Sequence, residues 1–218
     1  MSVDTRHTTK LTYDDYVHFP DDGNRHEIID GAHYMSPSPT AAHQDASRHI
    51  QFQLYQAIEE RGLGRVYDAP MDLQLSDTDV VQPDLMIVLS EHADRVSPSR
   101  LLGPPDLVVE ILSPATAERD RSLKLKLYEQ YRVPEYWIVD LDNHTVTRYR
   151  VAGGAAPAGS ATSAEGAPPA PSAAGGYELV ERVRDEITYR AEPAGERGKR
   201  IEAHIDLQKV WRRISSHQ

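Results

Sequence analysis

A carboxylate inside an apolar strand is the first residue of this chain that asks for a chemical explanation. Glu110 lies in the run Leu107-Val108-Val109-Glu110-Ile111-Leu112, and burying an unpaired carboxylate costs several kcal/mol even after relaxation. A metal ion, a cationic side chain or a proton must compensate it. Strand alternation puts Asp106, Val108, Glu110 and Leu112 on one face. Asp84 is the second such residue, because it follows Pro83 and leads directly into the apolar run 85–89. Two carboxylates on neighbouring strands of one sheet can hold a hard divalent cation through oxygen, as Mg²⁺ prefers. The plainer alternative has Asp84 capping a turn and Glu110 paired with an arginine.

Lys124 is the third residue. On a helix it neighbours Asp120, Leu127, Tyr128 and Tyr131, which places it in the apolar stripe that faces a sheet. Lys126 neighbours Ser122, Glu129 and Gln130 and points to solvent. A structural ion pair of Lys124 with Asp120 or Glu110 is the alternative to a chemical role.

The elements that must position these groups follow from periodicity. Residues 11–18 read as a short helix capped by Thr12, and 26–29 as a strand running into the turn pair Asp30-Gly31. Residues 36–39 break regular structure. A long helix is predicted over 40–60, with Ile50, Leu54, Ala57 and Ile58 on one face and an end near Gly62. Strand-like runs occupy 66–67, 71–75 and 85–89, and 107–112 reads as a buried central strand. A helix over 116–132, strands over 136–139, 146–151 and 177–183, and a helix over 206–214 complete the chain. Strand–helix–strand order predicts an α/β fold with a parallel or mixed sheet flanked by helices. Residues 152–176 are nearly pure Ala, Gly, Pro and Ser, and are expected to form a flexible insertion in one domain spanning 1–218.

Together these residues resemble the PD-(D/E)xK nuclease superfamily, the restriction-endonuclease-like fold. They are closest to a large bacterial family within it that was long labelled a domain of unknown function. The resemblance is carried by Glu27-Ile-Ile-Asp-Gly31, Gln82-Pro-Asp-Leu85, Pro105-Asp-Leu-Val-Val-Glu110-Ile-Leu-Ser-Pro114, Asp120 with Lys124 and Tyr128, and Val133-Pro-Glu-Tyr-Trp-Ile-Val-Asp140. It covers about residues 10–150. The superfamily's lysine stands two positions after the glutamate, where this chain has Leu112; in this family it has migrated to the following helix, matching Lys124. The resemblance implies that Asp84 and Glu110 bind Mg²⁺ or Mn²⁺, with the Ile111 carbonyl an additional ligand. Lys124 would orient the attacking water or neutralise phosphate charge, and Glu27 would serve as an auxiliary acid, its alternative being an exposed strand carboxylate.

Composition bounds the remaining choices. At 218 residues and 39% hydrophobic content the chain can bury a substantial core, and its lack of cysteine excludes disulfides and thiolate metal sites. No apolar run approaches the roughly 18–20 residues that span a bilayer, and the sequence MSVDTRHTTK lacks the apolar core of a secretory signal. A cytoplasmic location is expected. The ten histidines show no zinc spacing; His43 follows the Ser-Pro break and is left outside the core site. Net charge is -10, so any nucleic-acid site must be a local basic patch on an acidic body. Residues 118–132, with five basic and three acidic side chains, are one candidate.

The expected activity is that of a Mg²⁺-dependent endonuclease cutting DNA as a homodimer. A catalytically silent nucleic-acid-binding or scaffold protein that keeps the nuclease fold, and a hydrolase acting on a small phosphoester, are the competing expectations.

Overall fold

The pair Asp30-Gly31 shapes the first hairpin. Both residues take positive φ, 51° and 73°, as the two-residue turn that matches strand twist requires. Gly31 also lies so close to Lys10 that a Cβ there would collide with both its side chain and its backbone. The computed structural model describes residues 9–152, 176–192 and 200–214.

In chain order, the short helix α1 (Tyr13–Tyr16) precedes the hairpin strands β1 (Arg25–Ile29) and β2 (Ala32–Ser36). Helix α2 (Ala41–Leu54) is capped by Thr40, whose hydroxyl accepts the His43 N–H at 3.3 Å, and runs on as a π-helical turn, Tyr55–Glu59. Next come β3 (Gly64–Asp68), β4 (Asp72–Ser76), β5 (Asp79–Val81), β6 (Leu85–Leu89), β7 (Arg100–Leu102) and β8 (Leu107–Ile111). Helices α3 (Ala117–Arg121) and α4 (Leu123–Gln130) lead to β9 (Glu135–Asp140), β10 (Thr145–Val151) and β11 (Tyr177–Val183). A hairpin of β12 (Glu186–Ala191) and β13 (Ile201–Asp206) feeds α5 (Leu207–Ile214).

The main sheet has six strands in the order β11-β10-β9-β8-β6-β3. Its interior strand β8 pairs antiparallel with β6 and parallel with β9, so the sheet is mixed and the parallel pair is joined through α3 and α4. A five-stranded sheet, β2-β1-β5-β4-β7, packs beside it. Alternation along β6 and β8 divides the core in two. Leu85, Ile87, Leu89, Leu107, Val109 and Ile111 meet α2, α5 and the β12–β13 hairpin. Met86, Val88 and Val108 instead meet the five-stranded sheet and Leu127, Tyr128 and Tyr131. Glu110 shares the parity of Val108, so it points into the second layer among aromatic side chains. Among the described residues no helix is long and apolar enough to cross a membrane.

The predicted strands and the 40–60 helix are present, with two differences elsewhere. The helix expected over 116–132 is broken at Ser122 (φ −126°, ψ −69°). There the Ser122 hydroxyl donates to the Glu118 carbonyl at 2.6 Å, a local bond that competes with the helical ladder. Strands β5, β7, β12 and β13 were not expected; β5 and β7 hold only three residues each, too few for a readable alternation. The insertion predicted at 152–176 connects β10 to its antiparallel partner β11, and its residues 153–175 lie outside the described residues.

Gly31→Ala should destabilise the protein by about 1–2 kcal/mol, the cost of a Cβ in the left-handed region. Urea unfolding should show a lower midpoint with an unchanged slope; an unchanged midpoint would mean that the turn tolerates a side chain.

Candidate active site

Asp84 stands just ahead of β6, opposite the end of β8, and it joins the two strands. Its Oδ2 accepts the Ile111 backbone N–H at 2.8 Å, and Arg25 Nη1 donates to Oδ1 at 2.6 Å. His43 Nε2 lies 3.1 Å from Asp84 Oδ2 and 3.0 Å from the Ile111 carbonyl oxygen. A carbonyl can only accept, so this nitrogen carries the imidazole proton. Burial pushes the Asp84 carboxyl up, but the hydrogen bond and charge of His43, with Arg25, outweigh it and hold the group down at about 2.

Glu110 projects from β8 toward α4. Lys124 Nζ donates to its Oε1 at 2.9 Å and the Tyr128 hydroxyl donates to the same oxygen at 2.7 Å. Glu27, on β1 of the other sheet, places Oε1 2.8 Å from Lys124 Nζ and accepts the Gln82 N–H at 3.0 Å. Asp120 Oδ1 lies 3.8 Å from the same ammonium. Glu27, Asp84, Glu110, Asp120 and Lys124 are all no more than 4% exposed. They line one cleft of about 180 Å³, which His43, Arg25 and Arg119 also border.

Three buried carboxylates, Glu27, Glu110 and Asp120, therefore share one buried lysine, while the fourth, Asp84, takes Arg25 and His43. Negative charge is in surplus. Burial raises Glu110 to about 8; Lys124 opposes this, and Asp120, Asp84 and Glu27 reinforce it. Burial likewise raises Asp120. Lys124 is raised too: burial alone would lower it, but Glu110, Glu27 and Asp120 more than offset that. The raised Lys124 and raised Glu110 pull against each other. The firm direction is a lysine that stays charged among acids too numerous for it to neutralise.

The structure thus brings Asp84, Glu110, Lys124 and Glu27 together with the Ile111 carbonyl. Glu27 is not an exposed strand carboxylate, and the arginine partner belongs to Asp84 rather than Glu110. Lys126 is exposed, as its spacing predicts. Sequence reasoning left out His43 and missed Arg25. Both carried a signal: His43, Ala46, Ile50 and Leu54 form the buried stripe of α2, and strand alternation puts Arg25 on the face of Glu27. The basic surface predicted over 118–132 does not assemble. Arg119 turns inward, donating to Ser36 Oγ with its guanidinium 5.6 Å from the Tyr34 ring centre, and Arg121 pairs with Asp140 at 2.5 Å. No group of three or more His, Asp or Glu among the described residues is arranged to hold a metal by side chains alone.

A mixed sheet with a helical crossover between its parallel strands, and an acidic cleft at the ends of β6 and β8, defines the restriction-endonuclease-like class. The chain belongs to the Uma2 family, described as "Putative restriction endonuclease", whose model matches residues 13–179. A solved structure from Anabaena variabilis, described as "a putative nuclease belonging to DUF820", superposes with a TM-score of 0.64. The two are 16% identical, and the match covers 94% of this chain and 99% of that one, a likeness that establishes the fold. No curated protein matches the chain.

The raised Glu110 has a consequence for stability. Its folded value of about 8 lies above the ordinary carboxyl value of 4.5, so its contribution is full below pH 4.5 and is lost as pH rises through about 8. Glu110→Gln keeps an oxygen for Lys124 and Tyr128 and removes this loss. In EDTA the variant should melt several degrees above the wild type at pH 8.5, at roughly 2–4 °C per kcal/mol for a chain of this size. The gap should shrink toward pH 5; a pH-independent gap would contradict the assignment.

Proposed function

We propose that this chain is a Mg²⁺-dependent endonuclease, active also with Mn²⁺, that hydrolyses phosphodiester bonds in DNA. The observation that carries this reading is the acid-rich cleft, where the buried atoms Glu27 Oε2 and Asp120 Oδ1 form no hydrogen bond and meet only long ion pairs, with Arg119 at 3.6 Å and Lys124 at 3.8 Å. Buried acids short of partners fit a cationic ligand. The Asp84 and Glu110 carboxylates and the Ile111 carbonyl offer the hard oxygen donors that Mg²⁺ takes, water completing its shell. When bound, such an ion supplies Lewis-acid activation of water and neutralises charge on the phosphate.

The protein's own groups have distinct tasks. Arg25 and the Ile111 N–H fix the orientation of Asp84, and the His43 N–H bridges Asp84 Oδ2 and the Ile111 carbonyl, keeping both oxygens turned to one point. Tyr128 and Lys124 both bind Glu110 Oε1, which fixes that side chain. Glu27 anchors the lysine from the opposite sheet, so Lys124 presents a preorganised positive charge to a phosphate at the cleft. Cutting both strands of a duplex takes two such sites, which a two-fold homodimer supplies most simply. Light scattering should therefore give twice the 24.4 kDa chain mass; a single-chain mass with and without DNA would count against the dimer.

One observation favours a second reading, a silent binding protein. Both oxygens of Asp84 are already engaged, Oδ1 by Arg25 and Oδ2 by the Ile111 N–H and His43. Nicking of supercoiled plasmid with Mg²⁺ or Mn²⁺ at low salt separates the two. Lys124→Ala should lose roughly 10²–10³ in rate, while Lys126→Ala cuts like the wild type. If both variants cut normally, the role given to Lys124 is wrong. Should the wild type bind metal by calorimetry yet cut no DNA or RNA, the silent reading prevails.

A further inference from the structure

The last described helix concentrates positive charge on one side. In α5 the residues Leu207, Val210, Trp211 and Ile214 are buried, and Lys209, Arg212 and Arg213 stand exposed at the spacing i, i+3, i+4. This face is held beside α2 by Gln53, whose side chain donates to the Asp206 carbonyl at 3.3 Å and accepts the Asp206 N–H at 2.8 Å. Between the two helices runs a groove of about 460 Å³, lined by His49, Phe52, Gln56, Lys209, Arg212 and Arg213. No carboxylate lines it among the described residues. Asp206 lies 3.7 Å from Lys209 in a pair exposed on both sides, which neutralises little. Phe52 is 58% exposed at the rim.

On a chain of net charge -10, a groove lined among the described residues by cations, amides and an exposed ring runs against the composition. It also sits on the helix that carries His43 into the cleft. His43 and Gln53 are ten residues apart on α2, about 15 Å along its axis. A duplex over that length carries about nine phosphate charges. Resting on the nuclease reading above, we infer that the α2–α5 groove is a second nucleic-acid site, which grips the phosphate backbone of the polymer whose scissile bond lies in the acidic cleft. Lys209 and Arg212 supply the charge, and Phe52 offers a face against which a base or sugar can pack. Affinity then resides in the groove and chemistry in the cleft, which explains how so acidic a protein holds a polyanion.

The test is fluorescence anisotropy of the full chain with a labelled 20-base-pair DNA duplex and, separately, RNA of the same length, in Ca²⁺ across a salt series. Lys209→Gln/Arg212→Gln should bind about tenfold more weakly at low salt, with the log–log salt slope smaller by about two. Mn²⁺ affinity by calorimetry should be unchanged, and Lys126→Gln/Arg182→Gln, which removes equal charge elsewhere, should bind like the wild type. The arm that shows the loss identifies the polymer. If the wild type binds and the groove variant matches it in affinity and slope, the groove assignment falls and the nuclease reading stands. If the control pair loses as much, the effect is net charge and the groove assignment again falls. If the wild type binds neither polymer, both fall together.

Discussion

One ammonium group ties the layers of this protein together. Lys124, on α4, reaches Glu110 on the six-stranded sheet at 2.9 Å and Glu27 on the five-stranded sheet at 2.8 Å. Little of these charges is hydrated, since all three residues are no more than 3% exposed. Removing the shared cation from such a buried cluster typically costs about 3–5 kcal/mol, because the carboxylates it serves are left unpaired. The same bond that sets the mutual position of the sheets thus sets the position of the catalytic candidates, and architecture and chemistry cannot be altered separately here.

That coupling explains why the cleft stays acid-rich. A core built only for stability would match its buried charges or replace them with apolar groups. Here Glu110 and Asp120 are instead pushed toward the neutral form by burial and by each other's neighbours, while Asp84 is held ionised by Arg25 and His43. Carboxylates driven in opposite directions within one cleft are the pattern of a site organised for a task rather than for packing.

Much of this was legible in the residues. The inward Glu110 followed from strand alternation, the contrast between Lys124 and Lys126 from helical spacing, and the first hairpin from Asp30-Gly31, because each rests on a short-range periodicity. What was not legible depends on tertiary placement. The Ser122 break is a side-chain bond to one carbonyl, and strands such as β7 exist because a neighbouring edge is present to pair with. Arg119 counts as a surface cation in any local reading, yet Ser36 and Tyr34 from the first hairpin turn it inward. Charge tallies along a helix cannot foresee which cations a distant element will claim.

The stretch of α2 that delivers His43 has the geometry of a lever. Its fulcrum is the packing of Ala46 and Ile50 against the main sheet, with the imidazole at one end and the Phe52 rim at the other. A tilt of about 5° about Ile50 would carry His43, seven residues away, by about 1 Å. Shifts of that size in a reacting arrangement are worth roughly 10²-fold in rate. The stiffness of one apolar stripe is therefore the gauge of how closely the imidazole is held to Asp84.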